Sequence, residues 1–415
     1  MSSFIIEGGR KLKGEINISG SKNAALPILA TAILNPNKVT FYNVPNIEDV
    51  RTTIRILKCL GCKVTSKYGK ITVCSQNIKN NEIPKELMEK ARSTIVLVGA
   101  LLGRFGKACF YNPGGCNIGE RPIDLHLSGF KKLGVTITNE NGRIECKTSK
   151  LIPNKIYLNI PSVGATENII LTSVLIKGIT NIYNPAKEPE IRDLVNCLNK
   201  MGAKIYGVGT NKITIIGVEK LKSTSYRIMP DRIEAGTYLS AAAITGGKIK
   251  INNVNPQDLW NYLLKLKQTG CKISLNGNSI KLIAPKVLKA TNISTGFYPE
   301  FPTDLQSIFT TIMCCAKGIS IVKENIFENR FLYCEELKKL GANIEKEDNT
   351  IKVYGTSKLT GDVVKCNDLR GGASLILAAL SAKGITKILN IENVFRGYEN
   401  IEEKLKKLGA NIKKG

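Results

Sequence analysis

Leu337-Lys338-Lys339-Leu340-Gly341-Ala342-Asn343-Ile344 recurs without change as Leu405-Lys406-Lys407-Leu408-Gly409-Ala410-Asn411-Ile412. Looser copies precede the pair: Leu57-Lys58-Cys59-Leu60-Gly61-Cys62-Lys63-Val64, Phe130-Lys131-Lys132-Leu133-Gly134-Val135, Leu198-Asn199-Lys200-Met201-Gly202-Ala203 and Leu266-Lys267-Gln268-Thr269-Gly270-Cys271. Glycines 61, 134, 202, 270, 341 and 409 stand 73, 68, 68, 71 and 68 residues apart. Such spacing marks six copies of one structural unit. In each copy an amphipathic helix runs into a glycine, which suits the left-handed position just past a helix end, and a strand follows.

A second part is shared. Segments Ala24 to Leu34, Ile95 to Leu102, Ile169 to Ile176, Ala235 to Ile244, Ile308 to Ala316 and Ser374 to Leu380 are apolar on nearly all sides. A helix without a polar face must be buried all round. Each leads to a short strand, at Val39 to Tyr42, Ala108 to Tyr111, Thr180 to Tyr183, Ile249 to Ile251, Ser320 to Val322 and Lys387 to Leu389, and then to a loop that often starts with Asn. The expected fold class is α/β, with two similar domains, each of three βαβαββ-like units around buried helices.

The sixth copy stops at Lys413-Lys414-Gly415 without the later strand that Lys70 to Val73 supplies in the first. The N-terminal stretches Phe4-Ile5-Ile6 and Glu15-Ile16-Asn17-Ile18 have no copy of their own, so the N-terminus is expected to complete the sixth. That places one domain at 22–229 and a second at 1–21 plus 230–415. Two chain crossings suit a hinge, with the active site in a cleft between the domains.

The chain has 415 residues, 43% of them hydrophobic, more than one core usually supports. No apolar run of membrane-spanning length lacks charge, and Met1-Ser2-Ser3-Phe4-Ile5-Ile6-Glu7 does not read as a signal peptide, so a cytoplasmic location and no membrane insertion are expected. The twelve cysteines then read as reduced thiols. Cys59 and Cys62 have metal-ligand spacing, but no second pair accompanies them and the chain holds one histidine, so no metal is expected. A formal charge of +26 favours anionic partners. Those are nucleic acid, acidic lipid or a phosphorylated metabolite; the lysines are scattered rather than gathered into arms and only one Trp is present, which argues against nucleic acid.

One connection stands apart from the repeat. Asn112-Pro113-Gly114-Gly115-Cys116-Asn117-Ile118-Gly119-Glu120-Arg121-Pro122-Ile123-Asp124-Leu125-His126 carries three glycines, a thiol, a guanidinium and the histidine. Either it is a surface loop with an incidental thiol, or a mobile functional loop in which Arg121 favours the Cys116 thiolate. Polar groups also recur at the starts of the buried helices: Lys22-Asn23, Arg92, Ser162-Val163-Gly164, Asp231-Arg232, Asp304 and Asp368 with Arg370. The loops after the strands add Asp49, Glu188, Arg330 and Arg396. Each alone reads as an ordinary cap; together, beside helix N-termini, they suggest a phosphate-lined cleft. No nucleotide-binding glycine motif is present, and His126 reads as a structural anchor of the loop.

Pro113-Gly114-Gly115-Cys116-x-Ile118-Gly119-x-Arg121-Pro122 resembles the active-site loop of the UDP-N-acetylglucosamine enolpyruvyl transferases, in the EPSP synthase family. The resemblance runs on through Gly20-Ser21-Lys22-Asn23-Ala24, Ser162 to Thr166, Glu188-Pro189-Glu190-Ile191, Pro230 to Glu234, Phe301-Pro302-Thr303-Asp304, Phe327 to Phe331, Asp368-Leu369-Arg370 and Arg396 to Glu399. It implies an inside-out α/β barrel of six similar units, no cofactor, and two substrates, phosphoenolpyruvate and UDP-N-acetylglucosamine. Lys22, Asn23, Arg121 and Arg396 match the phosphoenolpyruvate site. Arg92, the run Arg121-Pro122-Ile123-Asp124-Leu125, Ser162, Val163, Gly164, Asp304 and Ile326 match the UDP-sugar site. By the same resemblance Cys116 is the proton donor, Asp304 the base, Asp368 and Arg370 further catalytic participants, and Glu188, Arg232 and Arg330 supports of the cleft. Some relatives carry Lys where this chain has Ile160. The rival within the family is the enzyme that uses shikimate 3-phosphate as acceptor.

Overall fold

The computed structural model describes every residue except Met1, Cys116, Asn117, Arg121, Thr356 and Ser357. Internal contacts divide the chain into a terminal unit, Met1–Ser19 with Asn117–Glu120 and Pro230–Gly415, and an inserted unit, Gly20–Cys116 with Arg121–Met229. The first crossing falls at 19/20, two residues before the expected 21/22. Ser21 belongs to the inserted unit because its N–H donates to the Met229 carbonyl (2.8 Å) and its hydroxyl accepts from the Ala24 N–H.

Buried helices lie at α1 Lys22–Thr31, α2 Val96–Phe105 and α3 Val163–Ser173 in the inserted unit, and at α4 Arg232–Ile244, α5 Gln306–Cys314 and α6 Leu369–Ser381 in the terminal unit. Every residue of α4 and of α5 is buried. Most of the six begin before the apolar segments read from the sequence, so polar residues expected ahead of the helices lie within their first turns. What allows this is capping: Ser21, Ser162, Asp231 and Asp368 each accept one or two of the amide hydrogens a helix start leaves unpaired.

The amphipathic helices lie at Glu48–Cys59, Asp124–Lys132, Pro189–Lys200, Trp260–Gln268, Tyr333–Lys339 and Ile401–Lys407. All six motif glycines that follow have φ between 88° and 106°. In each case the next N–H reaches back five residues: Cys62 to Leu57, Val135 to Phe130, Ala203 to Leu198, Cys271 to Leu266, Ala342 to Leu337 and Ala410 to Leu405. A side chain at the glycine would be strained in this left-handed turn, which explains the repeat's most regular letter.

Among the described residues the strands form six separate sheets, three in each unit, and none closes on itself. In a regular copy the strand before a buried helix pairs parallel with the strand after it, as Lys155–Tyr157 with Ile179–Tyr183 and Val363–Lys365 with Ile385–Leu389. The crossings exchange these partners. Lys13–Asn17 pairs with Lys248–Asn252 in the terminal unit, and Ser225–Arg227 with Lys38–Tyr42 in the inserted one. Ser3–Glu7 lies antiparallel between Ile385–Leu389 and Asn411–Lys414 and so completes the sixth copy. The second N-terminal strand completes the fourth copy instead, because the exchange keeps every sheet inside one unit.

The second copy departs from this plan. Its sheet has three strands, and a single parallel bridge between Glu82 and Cys109 stands where a strand would be. Among the described residues no helix is long and apolar enough to cross a membrane, and no group of three His, Cys, Asp or Glu could hold a metal ion.

Candidate functional site

In the inserted unit, Lys22 opens α1 and its Nζ lies 2.8 Å from Asp49 Oδ2, with both side chains largely buried. Asn23 follows in the same turn. The start of α2 has no side-chain cap and is preceded by a 3-10 turn, Arg92–Ile95. From that turn Arg92 Nη2 donates to the Pro122 carbonyl (3.1 Å), and a Cβ on Gly115 would meet the Arg92 backbone at 3.1 Å. The chain therefore passes against Arg92 twice, before and after the Cys116 position. Ile123 precedes the helix that Asp124 and Leu125 open. Ser162 caps α3, and Val163 and Gly164 form its first turn. Ile160 is exposed, and its carbonyl accepts from the Ser162 N–H.

His126 is buried and neutral. Asn168 Oδ1 accepts from the Gly99 N–H (2.8 Å), which turns Asn168 Nδ2 towards His126 Nδ1 at 2.7 Å. The ring therefore accepts at Nδ1 and carries its proton on Nε2. Burial, with the Arg92 charge adding to it, pushes the His126 pKa down to about 3. A Cβ on Gly164 would meet the ring at 2.9 Å, so glycine lets α3 start against the imidazole. Glu188 stands before Pro189 at the start of its helix. Burial, then Glu190 and Glu188, push the nearby Glu167 carboxyl well above its ordinary range, so it is held as the neutral acid.

The terminal unit gathers charges instead. α5 is preceded by a 3-10 turn, Thr303–Leu305, without a cap of its own. Asp304 in this turn is 30% exposed and meets two buried arginines: Arg330 Nη2 at Oδ1 (3.1 Å) and Arg370 Nη2 at Oδ2 (3.3 Å). Arg330 Nη2 also donates to the Thr303 carbonyl. Burial works against the charge on Arg370, but Asp304, with Tyr398 and Asp231 behind it, outweighs burial and holds the guanidinium protonated. Asp368 caps α6 by accepting from the Arg370 and Gly371 N–H groups. Asp231 caps α4 in the same way, and Arg232 in its first turn lies 5.6 Å from the centre of the Tyr298 ring. Arg396 ends the short helix Glu392–Phe395.

Thus Asp304, Arg330 and Arg370 form one cluster with Asp368 at the same helix start, and Arg92, Pro122, His126 and Gly164 form another. Cys116 and Arg121 lie outside the described residues. The structure adds groups that the sequence reading passed over. Asn168 fixes the histidine across 42 residues of chain, and no local pattern announces it. Glu234 is buried; its Oε1 lies 2.5 Å from Lys404 Nζ and its Oε2 accepts from the Ser19 N–H. Burial lifts its pKa to about 7 against the pull of Lys404. Glu324 is buried too, and its position in the repeat does carry a signal, taken up below.

The fold is that of an enolpyruvyl transferase. A solved structure titled "enolpyruvyl transferase NikO from Streptomyces tendae" matches with a TM-score of 0.90 and 24% identity, over 100% of this chain and 99% of that one. The profile of the EPSP synthase (3-phosphoshikimate 1-carboxyvinyltransferase) family matches residues 6–405, and the chain belongs to that family. Among its relatives, UDP-N-acetylglucosamine 1-carboxyvinyltransferase 2 of Caldanaerobacter subterraneus subsp. tengcongensis is 49% identical over 99% of both proteins. UDP-N-acetylglucosamine 1-carboxyvinyltransferase of Desulfosudis oleivorans is 45% identical, over 100% of this chain and 99% of its own length.

Proposed function

We propose that this protein transfers the enolpyruvyl group of phosphoenolpyruvate to the 3-hydroxyl of UDP-N-acetylglucosamine with release of phosphate, the first committed step of peptidoglycan synthesis, and works in the cytoplasm. The observation that carries the reading is the 49% identity, over 99% of both chains, to a protein named for this reaction. Lys22, Asn23, Arg121 and Arg396 take phosphoenolpyruvate. Arg92, Arg121 to Leu125, Ser162 to Gly164, Asp304 and Ile326 take the UDP-sugar, and Glu188, Arg232 and Arg330 support them. Neither nucleic acid nor a membrane enters the reading.

The reaction adds and then eliminates. The sugar hydroxyl attacks C2 of phosphoenolpyruvate and gives its proton to Asp304, while C3 receives a proton from the Cys116 thiol. The tetrahedral adduct then loses phosphate from C2 as C3 gives up a proton, which restores the double bond. Asp368 and Arg370 assist, and the Cys116 sulfur can itself add to C2 to form a phospholactoyl adduct. Two features support the base assignment: each carboxylate oxygen of Asp304 meets a guanidinium, which fixes its orientation, and the group keeps 30% exposure for a substrate. Cationic side chains near the helix starts suit two phosphorylated substrates.

Phosphate release from phosphoenolpyruvate tests the reading directly. Release is expected with UDP-N-acetylglucosamine as acceptor; none, or release only with shikimate 3-phosphate, overturns it. Fosfomycin, a thiol-reactive epoxide, is expected to add one mass at Cys116. Cys116→Ser is expected to lose at least about a hundredfold in kcat, the scale of a removed proton donor; unchanged turnover would remove the thiol from the mechanism.

A further inference from the structure

The residue directly after the strand that leaves each buried helix is Asn43, Asn112, Asn184, Asn253, Glu324 or Asn390. Five copies use asparagine and the fifth uses glutamate. Asn43, Asn184, Asn253 and Asn390 take positive φ, where asparagine is tolerated. Three of them donate from Nδ2 to a carbonyl: Asn43 to Ile228, Asn184 to Leu158 and Asn253 to Ile18. Glutamate cannot donate, and Glu324 does the reverse. Its Oε1 accepts from Thr295 Oγ1 (2.9 Å) and from the N–H groups of Ile326 (2.9 Å) and Phe327 (3.3 Å), and its Oε2 accepts from Thr303 Oγ1 (3.0 Å). The side chain is buried, and among the described residues no cation pairs with it.

A buried carboxyl group without a cation beside it is retained only when hydrogen bonds satisfy it, and here four donors from three segments do so. Two of those segments carry the site. Thr303 and Asp304 share the 3-10 turn that has no cap of its own, and Ile326 is the proposed sugar contact. We infer that Glu324 is a positioning residue for the acceptor half of the reaction: one carboxylate fixes the base Asp304, through Thr303, to the segment that holds the sugar. The arginines orient the Asp304 side chain; Glu324 sets where its backbone begins. The inference rests on the proposed function, since it takes Asp304 and Ile326 as acceptor-site residues.

The test compares wild type with Glu324→Gln and Glu324→Asn in steady-state phosphate release, varying each substrate in turn. Glu324→Gln keeps the size but puts an amide N–H₂ in place of one accepting oxygen, so that the Thr303 hydroxyl loses the acceptor it donates to. Glu324→Asn restores the residue of the other copies and is too short to reach Thr303. Both are expected to raise KM for UDP-N-acetylglucosamine and lower kcat, each by about 10- to 100-fold, with KM for phosphoenolpyruvate within about twofold of wild type. If either variant is unfolded by circular dichroism, Thr303→Val, which removes only the bond to Oε2, is expected to show the same split at about 5- to 10-fold in kcat. Unchanged acceptor kinetics in a folded variant, or equal changes for both substrates, overturns the inference and leaves the function standing. Wild type that releases no phosphate with these substrates overturns the function, and the inference with it.

Discussion

In the inserted unit Ser21 and Ser162 cap α1 and α3 with hydroxyls, and the neutral pair His126 and Asn168 occupies the interior. In the terminal unit Asp231 and Asp368 cap α4 and α6 with carboxylates, Asp304 meets Arg330 and Arg370, and Glu234 meets Lys404. Each unit packs three buried helices and three sheets to one plan, yet the side-chain caps of the buried helices are hydroxyls in one and carboxylates in the other. The middle helices, α2 and α5, share a feature that the other four lack: a 3-10 lead-in without a side-chain cap, carrying Arg92 in one unit and Asp304 in the other. A repeat supplies the scaffold cheaply in sequence terms, and its function gathers where a copy departs from the pattern.

The comparison breaks most visibly at Asp304. Asp304→Ala leaves two buried guanidinia facing each other without their shared carboxylate, and removing one partner of a buried ion cluster costs about 3–5 kcal/mol. Urea unfolding followed by hydrogen exchange is expected to show that loss in the terminal unit and little change in α1 to α3. Equal protection of α5 and α6 in the variant and wild type would mean that the arginines do not depend on Asp304.

What could be read in advance divides along the same line. The Leu-Lys-Lys-Leu-Gly copies were legible because a glycine past a helix end and its five-residue back-bond are local, and local chemistry repeats with the sequence. The place of Ser3–Glu7 followed from counting strands. The route of Lys13–Asn17 did not, since it pairs with residues 235 positions away and nothing in its five residues encodes that partner. Lys22, Arg92, Asp304 and Arg396 stood out only collectively, and their roles came from resemblance. Glu324 was visible in principle, as the one copy without asparagine, but the meaning of the exchange required knowing that Thr303 faces it.

One buried group in each unit responds to pH, and the two respond in opposite directions. His126 is held near 3 when folded and lies near 6.5 when exposed. Below about 6.5 the unfolded chain takes up a proton that the folded one refuses, so stability falls as the pH drops from 6.5 towards 3. At 1.36 kcal/mol per pH unit the His126 contribution falls by about 2 kcal/mol by about pH 5, while Glu167, held neutral in the same unit, works in the opposite direction, so the effect is read as the difference between wild type and a His126 variant. His126→Gln is expected to flatten that slope; an unchanged slope would show that the ring is protonated in the folded state. Glu234 runs the other way. Its folded value, about 7, lies above the ordinary 4.5, so its contribution is full below 4.5 and is lost as the pH rises through 7. The pull of Lys404 is already contained in that value, which lies nearer to its ordinary one than the His126 value does, so the expected Glu234 contribution is smaller in total and opposite in sign. Hydrogen exchange of the two units at pH 5 and pH 7, with Glu234→Gln as the control, separates the two.

The smallest effect concerns the caps, and it bears most directly on why the units differ. Asp231 Oδ1 accepts from both the Ile233 and Glu234 N–H groups at 2.8 and 2.9 Å, whereas Ser21 Oγ accepts from the Ala24 N–H alone at 3.4 Å. A carboxylate at a helix start gains from the helix dipole in addition to the hydrogen bonds, and a hydroxyl does not. Asp231→Ala is therefore expected to cost about 1–2 kcal/mol and Ser21→Ala about 0.5–1 kcal/mol. Raised salt should narrow the gap, because it screens the charge and leaves the hydrogen bonds. Ser21→Asp would complete the comparison. If a serine cap is only a weaker version of an aspartate cap, this variant gains stability. However, Lys22 Nζ is already committed to Asp49 at 2.8 Å, and a second carboxylate beside it would compete for that cation. No gain in stability, with a higher KM for phosphoenolpyruvate, is the expected result. It would mean that a second carboxylate beside Lys22 competes with an anionic substrate for that cation.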